Sequence, residues 1–250
     1  MDSMFQLTGK NALVTGSGRG MGLGIARALA KQGARVAIND FYQDRADSAA
    51  VQLRSEGYDV IGVAADITDP HQLKEMIFKV TESFGNIDIF VANAGVPTLG
   101  MGYGSFLESD PIQWQQFLNL NLISVMHAAQ FVVPGMIERK WGRFISITSE
   151  SWRAGVPMGI AAYAASKAGC VGFIRQLAAE TGQTGVTVNA LSLGTMNNWD
   201  GSEKIASKSC LVPRAGSPDD VGAGVVYLAS KEASWVTGQV YPLNGGSLTA

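Results

Sequence analysis

Short apolar runs alternate with longer stretches of helical period along almost the whole chain, and the first run ends in a glycine-rich turn that opens a helix. NALVTG (11–16), ARVAIND (34–40), DVIGVAAD (59–66), IDIFVANAG (87–95), GRFISITS (142–149), VTVNALSLG (186–194) and GQVYPLNGG (238–246) read as strands. Between them GLGIARALAKQG (22–33), DSAAVQLRSEG (47–57), PHQLKEMIFKVTESFG (70–85), PIQWQQFLNLNLISVMHAAQFVVPGMIERK (111–140), AAYAASKAGCVGFIRQLAAETG (161–182) and SPDDVGAGVVYLAS (217–230) read as helices. Pro134 is expected to kink the 111–140 helix or to force an irregularity late in it. A strand followed by a helix, repeated this way, builds a mostly parallel sheet covered on both faces. No internal repeat or linker interrupts the pattern, so residues 1–250 are read as one domain.

Composition narrows the partners. Nineteen basic residues face twenty-one acidic ones, a net charge of -2, which gives no electrostatic reason to expect nucleic acid or an anionic membrane. No run of about 18 or more apolar residues stands out as a membrane span. Cys170 and Cys210 are too few for a disulfide framework, and His71 and His127 are isolated, so no metal site is expected. The first ten residues lack the apolar core of a signal peptide. The expectation is a cytoplasmic enzyme with reduced thiols.

The first turn reads Thr15-Gly16-Ser17-Gly18-Arg19-Gly20-Met21-Gly22. Glycine permits positive φ and close backbone approach, and a helix start offers free N–H groups to a diphosphate. The spacing of Gly16, Gly20 and Gly22 resembles the cofactor motif of the classical short-chain dehydrogenases/reductases, and Ala92-Asn93-Ala94-Gly95 resembles that family's Asn-Asn-Ala-Gly after strand four, with Ala92 in the first position. The likeness runs from Lys10 to about Gly246. It implies a Rossmann-type, doubly wound, parallel seven-stranded sheet in the order 3-2-1-4-5-6-7 and a homotetramer. It also implies a dinucleotide held by Gly16, Ser17, Arg19, Gly20, Met21, Gly22, Asp40, Phe41, Asp66, Ile67, Asn93, Ala94, Gly95, Tyr163, Lys167, Gly194, Thr195 and Met196.

Tyr163 and Lys167 stand one helical turn apart on the same face. A phenol of ordinary pKa about 10 is a poor base, and a neighbouring ammonium favours the phenolate. Such a phenol can give a proton to a forming alkoxide or take one from an alcohol. The pair matches the family's Tyr-x-x-x-Lys. Ser149, at the end of a strand, matches the family serine whose hydroxyl donates to the substrate oxygen, with Ser151 as rival. Asn121 matches the family asparagine that distorts its helix and links the lysine to solvent through a water; Asn119 is its neighbour. Loss of Ser149, Tyr163 or Lys167 would point to a regulator or scaffold without catalysis, and all three are present.

Two residues pull the choice of dinucleotide in opposite directions. Asp40 ends strand two, where a carboxylate accepts from the adenosine ribose and repels a 2′-phosphate. Arg19 sits where NADP-preferring members carry a basic residue. The carboxylate occupies the phosphate's place and the arginine is flexible, so NAD is expected, with NADP possible. Leu193 replaces the family's proline before Gly194, and residues 195–212 occupy the place of the family's substrate lid, which is short here. A short lid implies a more open pocket, or one closed by the 96–108 loop, with Trp152, Met158, Met101, Tyr103 and Trp199 as candidates for an apolar wall. Such a wall suits a hydrophobic or cyclic secondary alcohol or ketone. The alternative is an NADPH-dependent reductase of 3-oxoacyl thioesters, which Arg19 favours.

Overall fold

The computed structural model describes residues 4–98, 100–101 and 103–249; Leu99 and Gly102 of the expected pocket loop, and residues 1–3 and 250 of the expected domain, lie outside them. Strands β1 (Asn11–Val14), β2 (Arg35–Asp40), β3 (Val60–Ala64), β4 (Ile89–Ala92), β5 (Gly142–Ser149), β6 (Val186–Leu193) and β7 (Val240–Leu243) form one sheet in the order β3-β2-β1-β4-β5-β6-β7. Every neighbouring pair is parallel. The parallel sheet is what the strand–helix alternation implies, and its Rossmann-type order is the one the family resemblance implies.

Alternation along each strand splits the core in two. On one face Val14, Ile38, Val91, Ile147 and Leu191 meet α1 (Gly20–Lys31), α2 (Gln43–Ser55) and α8 (Pro218–Ala229). On the other, Leu13, Phe90, Phe144 and Val188 meet α3 (Pro70–Phe84), α5 (Ser124–Glu138) and α6 (Ala161–Thr181). Phe90 and Phe144 stack at 5.2 Å across β4 and β5. Burying both faces removes some 25 cal/mol of unfavourable hydration per Å² of apolar surface, the main driving force for this fold. Pro70 sits in the first turn of α3, where a missing N–H costs nothing, and Asp69 caps that turn. Helix α2 begins four residues earlier than expected because its first turn is polar and exposed and shows no apolar period.

The segment 111–140 differs from the single helix expected. Helix α4 (Pro111–Leu118) passes into a π-turn at Asn119–Ile123 and then into α5. The irregularity therefore falls well before Pro134, which α5 accommodates inside its last turns. The wide turn rotates Asn121 into the interior, and the Ser124 hydroxyl donates to the Leu120 carbonyl at 2.7 Å within it. By length and composition Pro111–Glu138 passes as a membrane span, contrary to expectation. Its residues Val125, Val132, Val133 and Met136 are instead buried in the domain core.

A dinucleotide cleft and a candidate active site

A cleft of about 1000 Å³ runs along the carboxyl ends of the strands, where α/β sheets of this type bind ligands. One end is the glycine turn. Gly16 has φ 59°, and a Cβ there would meet the backbone of Ala94 at 2.9 Å. A Cβ on Gly22 would lie 2.6 Å from Asn93 Nδ2 and 2.7 Å from the Ser17 Cα, and would strike the Gly16 carbonyl. Asn93 Nδ2 donates to the carbonyls of Thr15 and Gly16, both at 2.9 Å, so the end of β4 is tied to the turn. At the start of α1, Arg19 makes no side-chain cap and the first turn carries no acid. Gly20, with φ 57°, leaves open space at its Cβ. Free helix N–H groups above a glycine cradle fit a diphosphate. Arg19, Gly20, Met21 and Gly22 line the cleft. Ser17 does not: it is fully buried, its hydroxyl donates to the Val14 carbonyl at 2.7 Å and its N–H to the Asn39 carbonyl. Its hydroxyl proton and N–H are committed to Val14 and to Asn39 of β2, so the structure does not bring Ser17 to the cleft wall with the other expected cofactor residues.

Asp40 ends β2 with its side chain over the glycine turn. A Cβ on Gly18 would lie 2.6 Å from Asp40 Oδ2, so Gly18 is needed for that approach although its spacing gave no sign of it. Asp40 Oδ1 accepts from the Tyr42 N–H at 3.1 Å and lies 3.9 Å from Arg45 Nη1. Arg45 in turn lies over the Tyr42 ring at 4.3 Å. Asn39 was also missed. Its amide donates to the carbonyls of Asp40, Val63 and Ala65, and it lines the cleft beside Phe41, Arg45, Ile67 and Thr68. A polar residue inside the buried apolar run of β2 was the available signal. Asp66 lines the same wall and spends Oδ1 on the N–H and hydroxyl of Thr68.

At the other end Ser149, Tyr163 and Lys167 line the cleft together with Ala94 and Gly95. Ser149 Oγ accepts from the Ser151 N–H at 3.3 Å and the Ser151 hydroxyl at 3.1 Å, so the rival serine supports Ser149 from behind. Phe117 meets the Tyr163 ring edge-on at 5.9 Å. Lys167 Nζ donates to the Ile147 carbonyl at 2.8 Å and lies 5.7 Å from the centre of the Tyr163 ring. Burial pushes the Tyr163 phenol above its ordinary pKa, and its hydrogen bond with Ser149 pulls it only part of the way back. This corrects the expectation of a phenol acidified by the lysine, because the ammonium points at a main-chain carbonyl instead. Burial also lowers Lys167, to about 8. Asn121 is buried, and neither atom of its amide has a hydrogen-bond partner among the described residues. A Cβ on Gly95 would lie 2.9 Å from Lys167 Nζ and 3.1 Å from Asn121 Oδ1. Only glycine lets those two side chains converge there. Asn119 faces the cleft and accepts from Gln115.

The buried ammonium has a measurable consequence. Unfolded, the Lys167 amine holds its proton to its ordinary value of 10.5; folded, it releases it near 8. The unfolded chain therefore binds more protons between those limits, and stability rises with pH across them. Lys167→Met removes the buried charge at the cost of the Ile147 hydrogen bond. Melting curves at pH 7 are expected to show a gain of about 2 kcal/mol, roughly 5 °C, that shrinks as pH climbs past 8. A lower melting temperature for the variant at pH 7 would contradict this.

A second cavity of about 350 Å³ adjoins Tyr163. Met101, Tyr103, Phe106, Trp114 and Phe117 give it an apolar and aromatic wall, Glu108 and Asp110 line it as well, and among the described residues no Lys, Arg or His does. Trp199 lines the main cleft with Leu193, Gly194 and Met196. Trp152, Met158 and Thr195 line neither space. Trp152 Nε1 donates to Ser192 Oγ at 3.1 Å with Arg175 over its ring, and the Thr195 carbonyl accepts from the Gly216 N–H. Leu193, in place of proline, ends β6 and pairs with Ser149 and Leu243. The short helix α7 (Ser202–Ser209) falls within residues 195–212, the stretch expected to form the lid.

The chain is similar to known proteins over nearly its whole length. A family model described as enoyl-(acyl carrier protein) reductase matches residues 16–247. D-beta-hydroxybutyrate dehydrogenase of Cupriavidus necator is 33% identical over 258 residues, covering 96% of this chain and 98% of that protein. A 3-oxoacyl-(acyl-carrier-protein) reductase of Vibrio cholerae serotype O1 is 33% identical, covering 96% of this chain and 98% of the relative. The crystal structure of a gluconate 5-dehydrogenase from Burkholderia cenocepacia in complex with NADP and tartrate is similar at TM-score 0.91 and 30% identity, covering 99% of this chain and 98% of that one.

Proposed function

The chain belongs to the classical short-chain dehydrogenase/reductase family and is an NAD(P)-dependent oxidoreductase acting on CH–OH groups; from that premise we propose that it interconverts a hydrophobic or cyclic secondary alcohol and its ketone, with NAD as preferred cofactor. The observation that carries this reading is the convergence of Ser149, Tyr163 and Lys167 on one cleft that begins at a glycine cradle. Gly16, Gly20 and Gly22 receive the diphosphate, Asp40 the adenosine ribose, and Lys167 the nicotinamide ribose. When bound, the nicotinamide supplies or accepts the hydride. Ser149 Oγ donates to the substrate oxygen and fixes it against Tyr163. In the reducing direction Tyr163 Oη gives its proton to that oxygen. Its raised pKa keeps the phenol protonated at neutral pH, the state a proton donor needs. Lys167 then returns a proton to Tyr163, and Asn121 would hold the water that links Lys167 to solvent.

The wall next to Tyr163 supports an uncharged substrate, since it is largely aromatic and the charged side chains among its described residues are the carboxylates Glu108 and Asp110, which repel an anion. The competing reading, reduction of 3-oxoacyl thioesters with NADPH, has Arg19 on the cleft in its favour. A panel of secondary alcohols with NAD and NADP, run beside a 3-oxoacyl thioester with NADPH, tests both readings by the cofactor's absorbance. Asp40 supports NAD, because a 2′-phosphate beside its carboxylate meets a repulsion of about 4 kcal/mol before screening. NAD is expected to win in kcat/KM by roughly tenfold to a hundredfold, and Asp40→Ser to erase that advantage. A native preference for NADP would overturn the assignment.

In the same reading residues 1–250 act as one domain, in the cytoplasm, as a homotetramer. The free thiols Cys170 and Cys210 support a reducing compartment. The exposed Ile123, Met126 and Ile137 along the α4–α5 run support burial between copies.

A further inference from the structure

Immediately after Ser149 the chain makes a single 3-10 turn, Glu150–Trp152, whose first residue is a carboxylate only 7% exposed. A buried acid beside a reaction centre is expensive unless something holds it charged and in place. Glu150 Oε2 accepts from Arg153 at 2.7 and 3.0 Å and from Asn244 Nδ2 at 2.9 Å. Burial pushes its pKa up, but hydrogen bonds with Ser192, Arg153 and Asn244, in that order, together with the Arg153 charge, outweigh it and hold the group below the usual carboxylate range.

Asn244 carries the connection onward. Its Nδ2 also donates to the Leu248 carbonyl, and its Oδ1 accepts from the Gly246 N–H at 2.8 Å. Its Cα lies 2.8 Å from where a Cβ on Gly194 would stand, so it rests directly on a residue that lines the cleft. The next residue, Gly245, accepts at its carbonyl from the Val212 N–H at 2.9 Å, at the root of the lid. Gly246 packs against the Leu211 side chain. One carboxylate thus joins the turn whose Ser151 supports Ser149, the strand end at Gly194, and the base of the lid.

We propose that Glu150 is a positioning residue for the reaction: through Asn244 it fixes Ser149 relative to Gly194 and the lid root. This rests on the role given above to Ser149. Leu193 gives added weight, since without a proline the strand end at Gly194 takes its restraint from Leu243 and Asn244.

The isosteric variant Glu150→Gln and the variant Asn244→Ala test it in the full-length protein. Each is expected to lower kcat by about tenfold or more, the scale of one charge-assisted hydrogen bond, while KM for the dinucleotide stays within about twofold. The double variant is expected to lose no more than the worse single one, because both changes cut the same tie. Hydrogen exchange gives a readout independent of turnover: the Ser151 and Val212 amides exchange faster in either variant, while the Thr15 amide, bonded to Val91 far along the sheet, does not. Faster exchange with native kcat would reduce Glu150 to a structural tie and overturn the proposal, as would unchanged exchange. A kcat loss that only tracks the fraction of protein able to bind dinucleotide overturns it too. If Glu150→Gln does not fold, Asn244→Ala, which keeps the Arg153 pair, decides alone. Should the native protein turn over no alcohol or ketone, the role of Ser149 fails first, and the exchange data still report whether the tie exists.

Discussion

Tyr163→Phe is expected to cut turnover by about a thousandfold or more while leaving dinucleotide affinity within about twofold. The variant keeps the ring, and with it the edge contact to Phe117. It loses only the hydroxyl that moves the proton. In the proposed mechanism Ser149 is left to hold the substrate oxygen, so the residual rate measures orientation without proton transfer. The fold tolerates the change, because a phenyl ring suits the buried site and only the hydrogen bond with Ser149 is lost, about 1 kcal/mol. Initial rates with saturating dinucleotide, paired with a fluorescence titration of the reduced cofactor, check both halves. Turnover within tenfold of native would remove Tyr163 from the mechanism.

Gly22→Ala is expected to abolish dinucleotide binding and to destabilise the fold together. A single methyl group at this position meets main chain on one side, the Gly16 carbonyl and Ser17 Cα, and the Asn93 amide on the other. These neighbours cannot swing aside as a flexible side chain would. The start of α1 must shift away from the end of β1, and the diphosphate cradle opens with it. Overpacking of this kind costs about 1–3 kcal/mol, or roughly 3–10 °C in melting temperature for a chain of this size. Gly57→Ala is the useful contrast: it also carries positive φ, but a Cβ there meets nothing within 4 Å, so its cost is backbone strain alone and its cleft stays intact. Equal dinucleotide affinity in native and Gly22→Ala protein would show that the turn is not the cradle.

The sequence made the sheet readable because each strand is bounded by its own punctuation. GRFISITS matches β5 residue for residue, with Gly142 at one end and Ser149 at the other. The break at Asn119–Ile123 carried no such mark, whereas Pro134 carried a strong one that the helix absorbs. Helix period also put Tyr163 and Lys167 side by side but said nothing about where the ammonium points. Its partner, the Ile147 carbonyl, belongs to β5 and is reached only after the sheet has formed. Within the glycine turn, spacing could not say that Ser17 faces inward and Gly18 outward under Asp40, because that choice follows from the positive φ of Gly16. Trp152 shows the limit for large apolar residues, which look alike in sequence whether they line a pocket or, as here, brace β6 through Ser192. Glu150 shows the reverse: a lone acid after a buried strand looks like a surface residue until Asn244 arrives from the far end of the chain.

In the proposed mechanism this cleft brings a carbinol hydrogen onto the nicotinamide ring beside Tyr163. A secondary alcohol deuterated at its carbinol carbon, incubated with the enzyme and oxidised NAD, is the decisive substrate. The label is expected at C4 of the reduced nicotinamide, on one face only, and Tyr163→Phe is expected to form almost none of it. Label released to water, or product formed with an unlabelled nicotinamide, would contradict it.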